Sequence, residues 1–160
     1  AHGLGTGLFI TQQLYFHKQI VTPKFSYWPT KYSNYRPALL GDNHWNRWLK
    51  DYNGQVYWLS FSDIRICSSF FPKWISFAFG YSGDGMLGGS SNPSFNEKGE
   101  ELPNFNRQRE FYISVDLNFK KIKTKSAFLN SFLKGISFIK FPAPAIRIKQ
   151  NSLQLIPLHF

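Results

Sequence analysis

Between Arg109 and Phe119 the chain alternates without a break. Phe111, Ile113, Val115, Leu117 and Phe119 fall on one side of an extended segment, and Glu110, Tyr112, Ser114, Asp116 and Asn118 on the other. A hydrophobic period of two is the signature of a β-strand and cannot be satisfied by a helix. Residues 74–83 repeat the pattern, with Ile75, Phe77, Phe79 and Tyr81 opposed by Ser76, Ala78, Gly80 and Ser82. Any sheet built from these strands has one bulky apolar face and one slim or polar face. Two arrangements accommodate that. In a water-soluble body the aromatic face is the core and the polar face meets water; in an outer-membrane sheet the aromatic face meets lipid and the small side fills the interior. Soluble proteins are the commoner case. The length of the segments, ten to eleven residues, is what a tilted strand needs to cross a hydrocarbon layer.

The rest of the chain sorts around these strands. Residues 55–62 read as a third strand, and 146–149 and 153–160 as two short closing ones. Helical spacing is predicted for 3–20, for 42–52 with Asp42 or Asn43 as N-cap and Asn53-Gly54 as its stop, and for 125–134. Residues 21–37, with three prolines, read as an extended irregular connection. The Gly-, Ser-, Asn- and Pro-rich stretch 83–106 reads as a long exposed loop, and Pro142-Ala143-Pro144 as a stiff turn. The expected fold is α+β: N-terminal helices followed by an antiparallel aromatic-rich sheet, open or barrel-like, with one basic amphipathic helix. The 160 residues suit one domain, 1–54 helical and irregular and 55–160 mainly strands. Five or six strands fall short of the eight of small barrels. The chain opens Ala1-His2-Gly3 without an initiator Met, so the expectation is the C-terminal part of a longer exported protein.

Charge sharpens the picture. Lys and Arg number 19 against 9 Asp and Glu, a net +10, and no acid follows Asp116. That tail holds Lys120, Lys121, Lys123, Lys125, Lys134, Lys140, Arg147 and Lys149. Basic residues among apolar ones at helical spacing suit an interfacial helix on anionic lipid. Basic charge among aromatics also suits single-stranded nucleic acid. No RRM, KH or zinc-finger motif is present, however, and the aromatics share faces with Ile, Leu and Val. Nucleic acid is the weaker reading.

Signals for catalysis are sparse. Cys67 has no second cysteine to pair with and reads as a buried inert thiol. His2, His17, His44 and His159 are scattered without metal-ligand spacing, so no metal and no cofactor is implied. Gly80-Tyr81-Ser82-Gly83-Asp84 misses a nucleophile elbow by one residue and follows a strand with no helix after it. Asp84, Glu110 and Asp116 are the weak catalytic candidates. Pairing with Arg107 and Arg109 in a polar interior is the expected arrangement, and such pairs are more often structural.

Several short motifs carry a family resemblance. They are Leu4-Gly5-Thr6-Gly7-Leu8-Phe9-Ile10, Pro29-Thr30-Lys31-Tyr32 with Tyr35-Arg36-Pro37, and Lys50-Asp51-Tyr52-Asn53-Gly54-Gln55 followed by Tyr57-Trp58-Leu59-Ser60. Phe71-Pro72-Lys73-Trp74, Ala78-Phe79-Gly80-Tyr81, Gly85-Met86-Leu87-Gly88-Gly89, Ile122-Lys123-Thr124-Lys125 and Phe141-Pro142-Ala143-Pro144 continue the series. Together they resemble an uncharacterised family of bacterial envelope proteins, the YfiM-like predicted periplasmic lipoproteins. The resemblance implies an export signal and further apolar helices upstream, and a place in the periplasm or outer membrane of a Gram-negative bacterium. It implies no activity.

The expected function is a membrane-associated cell-envelope protein with a structural or lipid-contacting role, its partners the lipid membrane and other envelope proteins. Ile75, Phe77, Phe79, Tyr81, Phe111, Ile113, Val115, Leu117 and Phe119 would contact the membrane, with Lys120, Lys121, Lys123 and Lys125 at the headgroups. The alternative is an envelope enzyme acting on lipid or cell-wall material through Asp84, Glu110 and Asp116. The direction in which the aromatic rows point decides between a lipid-facing and a soluble body.

Overall fold

A computed structural model describes residues 2–62, 72–150 and 152–159; Cys67 lies outside them. The fold is α+β, with helices α1 (His2–Phe16), α2 (Pro37–Leu40), α3 (His44–Lys50) and α4 (Ala127–Gly135). The strands are β1 (Val21–Tyr27), β2 (Gln55–Phe61), β3 (Ile75–Asp84), β4 (Gln108–Leu117), β5 (Ala143–Lys149) and β6 (Ser152–His159). They form one antiparallel sheet in sequence order, each strand beside the next, and the sheet does not close on itself.

Two elements depart from the sequence expectation. Residues 21–27 form a strand despite Pro23. β1 is the first strand of the sheet, and an edge tolerates a proline that cannot donate to a ladder. Likewise Ala143 and Pro144 open β5 instead of forming a turn, with a register irregularity against β6 at that point. The remaining helices start where their caps dictate. Asn43 accepts from Asn46 N at 2.9 Å to begin α3, and Ser126 accepts from Leu129 N to begin α4.

The register lines side chains of one kind into rows across the whole sheet. One row runs Pro23, Leu59, Phe79, Ile113, Ile146, Leu155; the next runs Phe25, Tyr57, Tyr81, Phe111, Ile148, Leu153. The opposite face reads Lys24, Trp58, Gly80, Tyr112, Arg147, Gln154, and beside it Ser60, Ala78, Ser114, Ala145, Ile156. The slim face is the concave one. Its core is Val56, Trp58, Ala78, Tyr112 and Ala145, with Ile156 packed against it. Trp58 fills the centre because its cross-strand neighbour is glycine: a Cβ at Gly80 would stand 2.8 Å from the indole. The indole Nε1 donates to Ser26 Oγ at 2.8 Å. His159 of the last strand stacks 5.7 Å from the same indole, so the inner faces of β2 and β6 meet across the concavity.

The loops at one end of the sheet build a second small core from Tyr32, Leu40, Leu87 and Leu102. That end carries α2, α3, the loop 85–107 and the β5–β6 turn. The other end carries α1 and α4. Gln12 ties α1 down by accepting from Ile20 N and Val21 N, at 2.9 and 2.6 Å.

Gly80→Ala is expected to lower stability by about 1–3 kcal/mol through overpacking against Trp58. Pairing it with Trp58→Phe should restore part of the loss. Denaturant midpoints of the two variants test the coupling, and additive losses would contradict it.

Candidate functional site

The outer face comes first, because its exposure is unusual. Leu59, Phe79, Tyr81, Phe111, Ile113, Val115, Ile146, Leu153 and Leu155 are all exposed large apolar side chains on adjacent strands. Phe79 is 49% exposed and Leu155 69%. No charged residue occurs in either of the two outer rows that cross all six strands. Soluble monomers rarely present a continuous apolar surface of this extent. Neighbouring rings do contact one another in the plane of the face, Phe61 with Phe79 at 5.6 Å and Tyr81 with Phe111 at 5.5 Å. Among the described residues no helix packs over the two central strands of this face, β3 and β4.

The predicted membrane-contact residues fall here with one exception. Ile75, Phe77, Phe79, Tyr81, Phe111, Ile113, Val115 and Leu117 share the outer face, the first two and Leu117 half-exposed. Phe119 does not. The strand ends at Leu117, and Phe119 turns in a 3-10 segment (Phe119–Lys121) to pack on Phe141, 6.2 Å between ring centres. Lys24 Nζ lies 5.4 Å from its ring. Alternation alone could not show that turn, because Asn118 keeps the period while its side chain caps the new segment.

Apolar and basic groups also gather at the sheet's ends. α4 buries no residue; Phe128, Leu129 and Phe132 are exposed, and Lys125 and Lys134 flank them. Lys120 and Lys123 are exposed nearby, and Lys121 is half-exposed. α1 exposes Phe9, Ile10, Leu14, Tyr15 and Phe16 at the same end. The tryptophans other than Trp58 sit at the two rims, Trp28, Trp45 and Trp48 at one and Trp74 at the other. No described helix is long and apolar enough to cross a membrane.

The interior is polar, and its charges are held by specific partners. At the α1/α4 end, Lys24 Nζ lies 2.8 Å from Asp116 Oδ2 and donates to Leu117 O at 2.7 Å, both side chains almost wholly buried. Lys140, 1% exposed, joins them between the 3-10 turn Ile136–Phe138 and β5. Its ammonium donates to Val115 O and Phe141 O, each at 2.8 Å, and stands 4.9 Å over the Trp58 ring. Burial brings the Lys140 amine down from 10.5 to about 8, partly opposed by Asp116 and reinforced by Lys24. Breaking a buried ion pair from one side costs about 3–5 kcal/mol, so Lys24 and Asp116 depend on each other.

A second polar group lies toward the other end. Asp84 accepts from Tyr32 at 2.7 Å and from Lys149, while Glu110 accepts from Tyr112 at 2.6 Å. Lys149 and Arg147 reach Glu110 Oε1 at 3.5 and 3.6 Å. Burial and the neighbouring Asp84 carboxylate push the Tyr32 phenol well above its ordinary range. Asp84, Glu110, Tyr112 and Arg147 border a cavity of about 350 Å³, also lined by Trp28, Val56, Ile156, Leu158 and His159.

The three predicted acids are therefore not one cluster. Asp84 and Glu110 share Lys149, whereas Asp116 belongs to the Lys24–Lys140 group. Their partners also differ from the expected Arg107 and Arg109. Arg107 donates to the carbonyls of Gly88 and Gly89, and Arg109 takes an outer, exposed position because it is one residue out of step with Glu110. Lys140, Arg147 and Lys149, counted in the sequence as surface charge, point inward. Parity with Ile146 and Ile148 signals this for Arg147 and Lys149, and parity with Pro23 and Phe25 signals it for Lys24 once 21–27 is known to be a strand; nothing in the sequence signals it for Lys140. Among the described residues no group of His, Cys, Asp and Glu is placed to hold a metal ion. Comparison with protein-family models, curated proteins and solved structures finds no match to this chain.

The Lys140 amine gives a measurable titration. The unfolded chain keeps the ordinary value near 10.5 and the folded chain releases the proton near 8. Stability therefore rises as pH climbs from about 8 toward 10, where the unfolded state binds the extra proton. The cation leaving the Trp58 ring should change indole emission with a midpoint near pH 8. Lys140→Met should abolish that transition, and an unchanged transition in the variant would rule out its assignment to this amine.

Proposed function

We propose that this chain is a membrane-associated protein of the bacterial cell envelope, in which the convex face of the sheet contacts lipid. The observation that carries the reading is the distribution across the sheet: continuous rows of Leu, Ile, Phe and Tyr face outward, and Ser, Gly, Lys, Asp and Glu are buried on the concave side. Water would favour the reverse. Exposing aromatic rows while burying two lysines and an aspartate is costly in an aqueous protein. Against hydrocarbon the same arrangement is favourable.

The dimensions support it. Ten residues of β3 at about 3.3 Å each give about 33 Å. At the tilt of membrane sheets this matches an apolar band about 25 Å tall. Rim tryptophans suit the two interfaces of such a layer, where an amphipathic ring keeps its N–H wet. α4 suits one headgroup region, with its phenylalanines in the lipid and lysines beside the phosphates. The role that follows is structural or lipid-contacting. The envelope location draws further support from the resemblance to the YfiM-like lipoproteins, and other envelope proteins are the natural protein partners.

The reading is tested by mixing the purified chain with anionic phospholipid vesicles and floating them on a density gradient. The chain should rise with the vesicles and resist carbonate. Phe79→Arg, in the middle of the outer face, should destabilise the inserted form by about 2–4 kcal/mol and leave more protein in the soluble fraction. A soluble protein would tolerate that surface change within about 0.5 kcal/mol. Recovery of the parent chain in the soluble fraction would end the proposal.

A second prediction concerns α4. Replacing Lys120, Lys123, Lys125 and Lys134 together by Gln should remove about 1 kcal/mol of attraction per charge to anionic vesicles. Binding to neutral vesicles should be unaffected. Equal loss on both vesicle types would show that the lysines act on folding instead of on the headgroups.

A further inference from the structure

At the basic end of the molecule a hollow opens between the 3-10 turn Phe119–Lys121, the segment that follows it and α4. Its volume, about 360 Å³, lies in the range of small-ligand pockets. Three lysines line it, each from a different element: Lys120 from the turn, Lys123 from the connecting segment and Lys134 from the last turn of α4. No acidic residue lines it. The acid closest in sequence, Asp116, is buried and paired with Lys24. The Lys120 ammonium donates only to the neutral Gln19 carboxamide, at 3.2 Å, and those of Lys123 and Lys134 have no partner among the described residues. Three like charges therefore border one space without a counter-ion. The walls of that space are held in place. The Asn130 carboxamide accepts from Thr124 N at 2.8 Å and donates to Thr124 O at 2.9 Å, which clamps the connecting segment onto α4. The hollow is thus shaped by hydrogen bonds that do not involve the lysines themselves.

The lining narrows the ligand. Ammonium groups without a counter-ion attract an anion, and lysine binds phosphate as a point charge with rotatable donors. A phosphomonoester carries close to two negative charges at neutral pH and three acceptor oxygens. A carboxylate or a phosphodiester brings a single charge and fewer free oxygens. The rest of the wall, Phe119 and Ile122, is apolar and suits the C–H groups of the carbon skeleton that bears the phosphate. We propose that this hollow binds a phosphomonoester, held by Lys120, Lys123 and Lys134. The site goes beyond the headgroup attraction of α4, because it selects an anion by its chemistry, where diffuse attraction counts charge alone. The source is either a soluble phosphate ester or the headgroup of a phosphatidate-type lipid. The second source rests on the lipid-contact reading and the first does not.

The test uses the full chain in dodecyl maltoside micelles, which carry no phosphate. Glycerol 3-phosphate, glycerophosphocholine and acetate are titrated by calorimetry. A parallel arm compares phosphatidylcholine nanodiscs containing phosphatidic acid with discs containing phosphatidylglycerol at matched surface charge. Saturable binding of glycerol 3-phosphate, tighter than that of the diester and of acetate, supports the site with a soluble ester as its source. A preference confined to the phosphatidic acid discs supports it with a headgroup. Lys123→Gln should weaken the glycerol 3-phosphate affinity, or the preference for phosphatidic acid, by about fivefold. Lys125→Gln removes an equal charge from the same end but from outside the hollow, and should leave both unchanged. Equal loss in the two variants would mean diffuse attraction and overturns the inference. So does the absence of selective binding in both arms. The micelle arm needs no bilayer, so its result is separate from that of vesicle flotation.

Discussion

The size difference between the two faces of the sheet governs the rest of the structure. Inner positions carry Gly80, Ala78, Ala145 and several serines, while the outer positions opposite them carry Phe, Tyr, Leu and Ile. A sheet so loaded packs closely only when its slim side is concave. One large ring then suffices to fill the middle, and Trp58 is admitted by the missing side chain of Gly80. Around that indole stand Ser26, Tyr112, Lys140 and His159, drawn from β1, β4, the link before β5, and β6. The curvature, the burial of polar groups and the exposure of the aromatic rows are consequences of one packing constraint.

Burial of charge follows from it and is not gratuitous. A concave face that turns away from bulk water must satisfy every polar group it carries, because an unpaired buried charge is far more costly than a paired one. Two separate networks do this. Lys24, Asp116 and Lys140 serve the α1/α4 end, and Asp84, Glu110, Arg147 and Lys149 the other, with Trp58 and Tyr112 between them. In the first, the lysines also donate to backbone carbonyls, Lys24 to Leu117 and Lys140 to Val115 and Phe141. In the second, Glu110 accepts from Tyr112 and pairs with both Arg147 and Lys149.

The ends of the sheet complement its faces. Loops at one end build a small aromatic core of their own, in which Tyr32 stacks on Phe105 and reaches down to Asp84. The opposite end is basic and apolar together, with α4 exposing three large side chains among lysines. The apolar waist, aromatic rims and cationic end are the features on which the proposed lipid contact rests.

Period-two alternation in residues 75–83 and 109–117 determined, from sequence alone, that these are strands, which side chains share a face, and hence the α+β class. Helix caps such as Asn43 were equally local and equally readable. What required the tertiary structure was everything that depends on which strand lies beside which. Pro23 belongs to a strand because β1 is at the edge; Glu110 meets Lys149 because β4 pairs with β5; Lys140 is inside because the turn before β5 folds over Trp58. The aim of the greasy face was of the same kind. Alternation assigns residues to two sides, but only the sense of curvature, a property of all six strands together, decides which side is enclosed.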